Sequence, residues 1–175
     1  MEAITTVTEV DLGLLVLRLA VGVAFSLHGF QKLFGWFGGG GISGTSRWFA
    51  SLGFGDGRTA TILAGGSEVA GGLGLAAGAL TPLAALAMVG TMTTAGLVNN
   101  AEHGFWSARK GWELNGYLVV VAVAVAITGP GAYSVDAALG LTELSGPLSG
   151  LLVALVGIGL GWARWATRTR PMPAD

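Results

Sequence analysis

The chain has 175 residues, of which 52% are hydrophobic, 31 are Gly and only 11% are charged, and its mean hydropathy is +0.68. A water-soluble domain of this length needs far more polar surface, so lipid must be the solvent for most of the chain. Nine basic and ten acidic residues leave a formal charge of -1, which provides no polybasic footprint for nucleic acid. The absence of Cys excludes a disulfide framework, thiolate-ligated iron–sulfur centres, covalent c-type haem and a thiol relay carried by this chain.

Five apolar segments follow one another. The first, 12–34, is preceded by Glu2, Glu9 and Asp11 rather than by Lys or Arg, unlike a signal peptide. Its helical rise of about 33 Å is enough for a tilted crossing. The second, 59–80, ends at Thr81-Pro82, where Pro82 suits the first turn of the next helix. The third, 82–98, extends through Asn99 and Asn100. The fourth, 113–129, has a β-branched core that reads as a helix in this company, and the fifth, 147–165, precedes Arg168 and Arg170. The minimal link at 81–82 makes helices two and three an antiparallel hairpin.

Five crossings put the termini on opposite sides. With the C terminus inside, Lys32, Arg47, Arg58, Arg109, Lys110, Arg164, Arg168 and Arg170 all fall inside, while Glu2, Glu9, Asp11, Asp136 and Glu143 fall outside. Of the basic residues only Arg18 remains, within the first helix. This is a positive-inside pattern, N-out and C-in, and all six Trp (36, 48, 106, 112, 162 and 165) lie near the same inner interface. The inside loop 35–58 starts with four consecutive Gly. Its TSRWFASL stretch reads either as one or two interfacial turns, with Trp48, Phe49 and Leu52 down and Arg47 up, or as irregular loop. In helix two, Gly66, Ala70, Gly74 and Gly78 form a small-residue stripe for close packing.

Ionisable groups inside the membrane are expensive and should face the bundle. Arg18, His28 and Lys32 share one broad face of the first helix, Glu68 sits mid-way along the second, and Glu113 opens the fourth. Arg18 and Glu68 are expected to form an intramembrane pair that sets helix register, and Lys32 either snorkels to headgroups or joins a site. A quinone headgroup site is expected near the inner ends of helices one and four, built from His28, Lys32, His103, Trp106 and Glu113. Imidazole or ammonium donates to a quinone oxygen, a carboxylate exchanges protons, and Trp106 lines the ring. The alternative use of these residues is to cap helix ends and knit the 99–111 loop to the bundle. The sequence contains no Walker motif, no HExxH and no spacing diagnostic of a Ser–His–Asp triad, so no catalytic residue and no metal site is assigned.

The stretches LRLAVGVAFSLHGFQKLFGWFGGGGISGT (17–45), AGGSEVAGGLGLAAGALTP (64–82), HGFW and GWE around 103–113, and GPGAYSVD (129–136) closely resemble the DoxX family of small bacterial membrane proteins, over about residues 12–140. The resemblance implies an all-α, four-helix membrane bundle in the bacterial cell (inner) membrane. Arg18, His28, Lys32, Glu68, His103, Trp106 and Glu113 then match recurring polar and aromatic positions of the family. One relative is the small subunit of a thiosulfate:quinone oxidoreductase, and others are linked to redox homeostasis. The fifth helix departs from the family pattern. Residues 1–140 are therefore expected to form the bundle with its Gly-rich cytoplasmic loop, and 141–175 to add a transmembrane helix and a basic cytoplasmic tail. The functional expectation is a membrane anchor or accessory subunit of a redox or respiratory assembly, not catalytic alone. It has no intrinsic cofactor, contacts quinone, and has membrane lipids and other redox subunits as partners. The alternatives are a transporter-like bundle that binds a small molecule or lipid, and a purely structural subunit.

Overall fold

The computed structural model describes residues 8–169; Glu2 and Arg170, which enter the charge count, lie outside them. Among the described residues the fold is all-helical. Helix α1 spans Glu9–Phe34 and starts with a reciprocal cap, in which Thr8 Oγ1 accepts from the Asp11 amide and the Asp11 carboxylate accepts from the Thr8 amide. It stops at Gly35, whose φ of 74° is left-handed and closes the last turn. Helix α2, Gly41–Ser51, is longer than the one or two turns anticipated in the Gly-rich loop. Helix α3, Arg58–Ala77, ends at Gly78, and α4, Thr81–Ala95, begins with Pro82 in its first turn. The α4 rod then continues through a π turn at Gly96–Asn100 and a 3-10 turn at Ala101–His103. Helix α5 is Glu113–Thr128, α6 is the short Val135–Ala138, and α7 is Pro147–Ala166.

Four of these rods are long and apolar enough to cross a membrane: α1, α3, α4 with its extension, and α7. The fourth expected span, α5, has only 16 residues, a rise of about 24 Å against a hydrocarbon core of about 30 Å. It nevertheless runs between the same two ends as its neighbours. Residues before it bond to the end of the α4 rod, where Asn100 Nδ2 donates to Lys110 O at 2.7 Å. Residues after it reach the far end of α3, where the Asp136 amide donates to Gly78 O at 2.8 Å. The protein is thus a multi-pass membrane bundle. Many of its large apolar side chains point outward, including Val10, Val16, Leu83, Leu148 and Leu155, as lipid-facing side chains do.

One end of the bundle gathers the C terminus of α1, all of α2, the start of α3, the 101–112 loop and the C terminus of α7. Thr169 N donates to Gly53 O at 2.9 Å, and the Arg164 guanidinium lies 4.2 Å from the Phe54 ring centre, which fastens α7 to the α2–α3 link. All six Trp belong to segments at this Trp-rich end.

The closest helix contact is between antiparallel α1 and α3. A Cβ on Gly22 would lie 2.5 Å from Gly72 O, a Cβ on Gly72 would lie 2.5 Å from Gly22 O, and one on Gly29 would lie 2.6 Å from Gly65 O. Backbone therefore meets backbone at two places seven residues apart on each helix, leaving no room for any side chain. The stripe that makes this contact is Gly65 and Gly72 rather than the expected Gly66, Ala70, Gly74 and Gly78. Gly66 has open space beside it, Ala70 is exposed, Gly74 packs against Ala84 of α4, and Gly78 ends the helix with φ 62°. Four-residue spacing in a helix so rich in small residues occurs on more than one face, and one face alone fits α1. Helix α7 seats on α4 in the same manner, with Gly157 against Val89 and Gly161 against Thr93. Phe25, Leu75, Ala85, Met88, Val89 and Val125 fill the common core.

Replacing Gly22 or Gly72 with Ala should lower stability by about 1–3 kcal/mol, the range for overpacking a close contact. Gly66→Ala should be neutral or stabilising, because it improves helix propensity in open space. Thermal unfolding of the three variants in one detergent checks this, and equal losses at all three positions would refute the assigned register.

Candidate functional site

A cavity of about 1070 Å³ opens among α1, α3, α4 and α5, with α2 and the tip of α7 contributing at the Trp-rich end. Its wall is mainly apolar, with Val21, Phe25, Leu63, Leu86 and Leu118 among the side chains that face it. The deepest charge on that wall is a carboxylate. Glu68 lies on the face of α3 turned toward α1, with its side chain 4% exposed, and Lys32 Nζ donates to its two oxygens at 2.8 and 2.6 Å. Lys32, near the end of α1, keeps 22% of its side chain exposed. Bidentate, charge-assisted contacts of this length are strong, and the buried carboxylate needs them because lipid and apolar side chains give it nothing else. His28 is one turn back along α1 on the same wall, with Nδ1 3.2 Å from Gln31 Oε1.

The structure brings together only part of the expected site. His28 and Lys32 share the cavity. Glu113 is turned to the loop before it, where its carboxylate accepts from the Ser107 amide at 2.9 Å and its own amide donates to Phe105 O at 2.9 Å. His103 is exposed in the 3-10 turn that ends the α4 rod, Trp106 is 62% exposed, and neither lines the cavity.

The expected Arg18–Glu68 pair does not form. Arg18 is fully buried, and its guanidinium instead caps the end of α3. Nη1 donates to Leu75 O at 3.4 Å and Ala76 O at 3.0 Å, and Nη2 donates to Tyr133 O at 2.6 Å. The physical reason is axial stagger. The Gly22–Gly72 contact brings Arg18 level with the last turn of α3, seven and eight residues past Glu68, or about 10–12 Å of helix rise. There the unpaired carbonyls and the negative end of the helix dipole suit a cation, while Glu68 is already matched by Lys32.

Other polar residues take structural roles that their sequence positions alone did not assign. Asp136, 1% exposed, accepts from the Leu80 amide at 2.7 Å, the Thr81 amide at 2.9 Å and Thr81 Oγ1 at 2.6 Å, so it caps α4 from 55 residues away. Asp11 likewise holds the Ala132 amide at 2.8 Å. On the cavity wall opposite α1, Asn99 and Asn100 enter on the π turn, and Asn115 enters from the first turn of α5. A π turn adds a residue to the helical repeat and often marks a functional position. The detectable signal was three amides interrupting or bordering apolar runs.

The DoxX family profile matches residues 13–101, just over half of the chain. The protein belongs to the DoxX family. Neither the curated proteins nor the solved structures contain a match. The matched stretch takes in α1 to α4 and holds both partners of the Lys32–Glu68 pair, whereas Asn115, Asp136 and α7 lie beyond it.

Removing one member of a buried ion pair costs about 3–5 kcal/mol when the other charge is stranded. Lys32→Met strands the buried Glu68 and should therefore cost more than Glu68→Gln, after which Lys32 can extend to the interface. The double variant Lys32→Met/Glu68→Leu should regain part of the loss. Arg18→Gln and Glu68→Gln should combine additively. A double-mutant cycle by thermal unfolding measures both couplings; coupling at Arg18–Glu68 with none at Lys32–Glu68 would reverse this assignment.

Proposed function

We propose that this DoxX protein is a membrane subunit of a redox assembly, and that it contacts quinone within the cavity. One observation carries the reading: an apolar cavity of about 1070 Å³ has the Lys32–Glu68 pair on its wall. Sites for lipophilic small molecules are mostly apolar with a few convergent polar groups, and typical volumes run from about 300 to 1,000 Å³. A quinone ring and several isoprene units fit such a volume. The Lys32 ammonium donates to a quinone oxygen, His28 supplies a second donor, and Glu68 exchanges a proton as the ring changes oxidation state. Asn99 and Asn115 offer amide donors from the other wall. Electrons come from a partner subunit, because quinone reduction needs a carrier that these side chains do not provide. On this reading the exposed His103 and Trp106 belong to a loop available to that partner, and Glu113 keeps the loop folded.

The same reading places the chain in the bacterial cell membrane with the Trp-rich end in the cytoplasm. Support comes from the basic residues: Lys32, Arg47, Arg58, Arg109, Lys110, Arg164 and Arg168 all lie in segments at that end, while Asp11, Asp136 and Glu143 belong to the other.

Two measurements test these statements. Purified protein titrated with a short-chain benzoquinone and a short-chain naphthoquinone should bind one of them. Lys32→Met/Glu68→Leu and His28→Ala should weaken that binding about tenfold or more, as expected for hydrogen bonds to charged or well-placed donors. Unaltered binding in both folded variants would reject the cavity as the quinone site, and no binding by the wild type, with or without its native partners, would reject quinone contact. For orientation, a tag at the N terminus should be reached from outside intact spheroplasts and a C-terminal tag only after lysis. Labelling of both from outside contradicts the odd number of crossings.

A further inference from the structure

The mouth of the cavity carries charge for which a neutral quinone has no use. Two cations line it at the Trp-rich end, Lys110 and Arg164. Lys32 is neutralised by Glu68, but neither Lys110 nor Arg164 has a carboxylate partner among the described residues. The Arg164 guanidinium stacks 4.2 Å from the Phe54 ring centre and donates one long bond, 3.5 Å, to Thr167 Oγ1. Most of its five N–H donors remain open. Lys110 has its backbone fixed, with φ 65° at the end of the Ser107–Arg109 turn and its carbonyl accepting from Asn100, while its exposed side chain is free. Both side chains line the same cavity, and α7 touches the π turn whose Asn100 bonds the Lys110 carbonyl.

The acidic groups nearby do not pair with these cations. Asp56, Glu102 and Glu113 keep their charge, but none is in the cavity lining and none forms an ion pair with Lys110 or Arg164 among the described residues. The lining thus holds three cations against one carboxylate. Trp162 and Trp165 flank Arg164 in sequence and Trp112 follows Lys110 closely, which puts both cations at headgroup depth.

We infer that this mouth binds an anionic phospholipid, with its phosphate between Lys110 and Arg164 and one acyl chain in the apolar volume. Guanidinium and ammonium donors match phosphate oxygens, and basic pockets between transmembrane helices select acidic headgroups. The phosphate site goes beyond quinone contact and stands on different polar residues, while the acyl chain shares the apolar volume assigned to quinone.

The test uses the full chain in detergent, offered equal amounts of phosphatidylglycerol and phosphatidylethanolamine with identical acyl chains, and reads retained lipid by native mass spectrometry. Phosphatidylglycerol should be favoured by about fivefold for each cation. Lys110→Gln/Arg164→Gln should abolish the preference, Arg164→Lys should keep most of it, and Arg109→Gln, outside the lining, should leave it unchanged. Equal retention of the two lipids by the wild type, or a preference that survives the double variant, overturns the assignment. So does loss of preference in Arg109→Gln equal to that in the double variant, which would mark diffuse surface charge. An oleate arm separates the sources of negative charge: oleate retained ahead of phosphatidylglycerol would make the ligand a carboxylate and not a phospholipid. Short-chain quinone titration of the lipid-depleted Lys110→Gln/Arg164→Gln variant should match lipid-depleted wild type, so failure of either site is seen separately.

Discussion

Hydrocarbon offers no hydrogen bonds, so each polar group that enters the bundle must be satisfied by the chain itself. Four ionisable residues meet most of that demand in different ways, with the buried Arg18 Nε left without a hydrogen-bond partner among the described residues. Arg18 takes three carbonyls, two of them at the end of α3, Asp136 takes two amides and a hydroxyl at the start of α4, and Lys32 and Glu68 take each other. The first two tie down the α3–α4 turn, where Gly78 and Leu80 both have positive φ and a Cβ at Gly78 would strike the Arg18 guanidinium. The last pair sits part-way along the bundle on a cavity wall. The division separates an end in which polar groups are consumed by backbone from a region in which a carboxylate and an ammonium line the cavity.

Which charges meet is decided by glycine. Backbone contact at Gly22–Gly72 and Gly29–Gly65 leaves α1 and α3 almost no freedom to slide, and sliding by one turn would bring side chains into backbone. Lys32, with a long stem, reaches Glu68 from the end of its helix, whereas Arg18 is held against terminal carbonyls. The helical spans were legible from hydropathy, and the family from motifs in α1 and α3, because lipid imposes a length and an apolar run that composition records directly. The pairing of Arg18 was not legible. Rotation about one helix axis places Arg18, His28 and Lys32 on a common face but says nothing about axial stagger against a second helix. The Gly stripe misled for a related reason: α3 has small residues on several faces, and the face that matters is chosen by the partner. Asp136 was invisible as a cap because its helix start lies 55 residues upstream.

Small residues also explain why a cavity exists at all. Ala20, Ala24, Ala64, Ala87 and Gly90 line it, so the helices that surround it supply short side chains on the facing walls. Leu and Phe at these positions would fill the space and give a dry bundle. Polar amides are then introduced where the α4 rod changes to a π turn, which rotates Asn99 and Asn100 out of the register that the preceding apolar turns established. The candidate site is therefore made from a packing deficit and a local change of helical repeat, neither of which produces a contiguous sequence signature.

The bonds from residues 133–136 back to Arg18 and to the start of α4 also bear on how the protein is made. When translation has delivered residues 13–101, the stretch that matches the family, the carbonyl of Tyr133 and the carboxylate of Asp136 are not yet available. The first two long helices can leave the translocon and associate, but Arg18 and the amides of Leu80 and Thr81 must borrow water or headgroup oxygens at the interface in the meantime. Only once α5 has crossed and its following loop has folded back does the first hairpin acquire its permanent partners. Maturation of the bundle is thus ordered in time, with the late-synthesised loop acting as the clasp on the earliest helices.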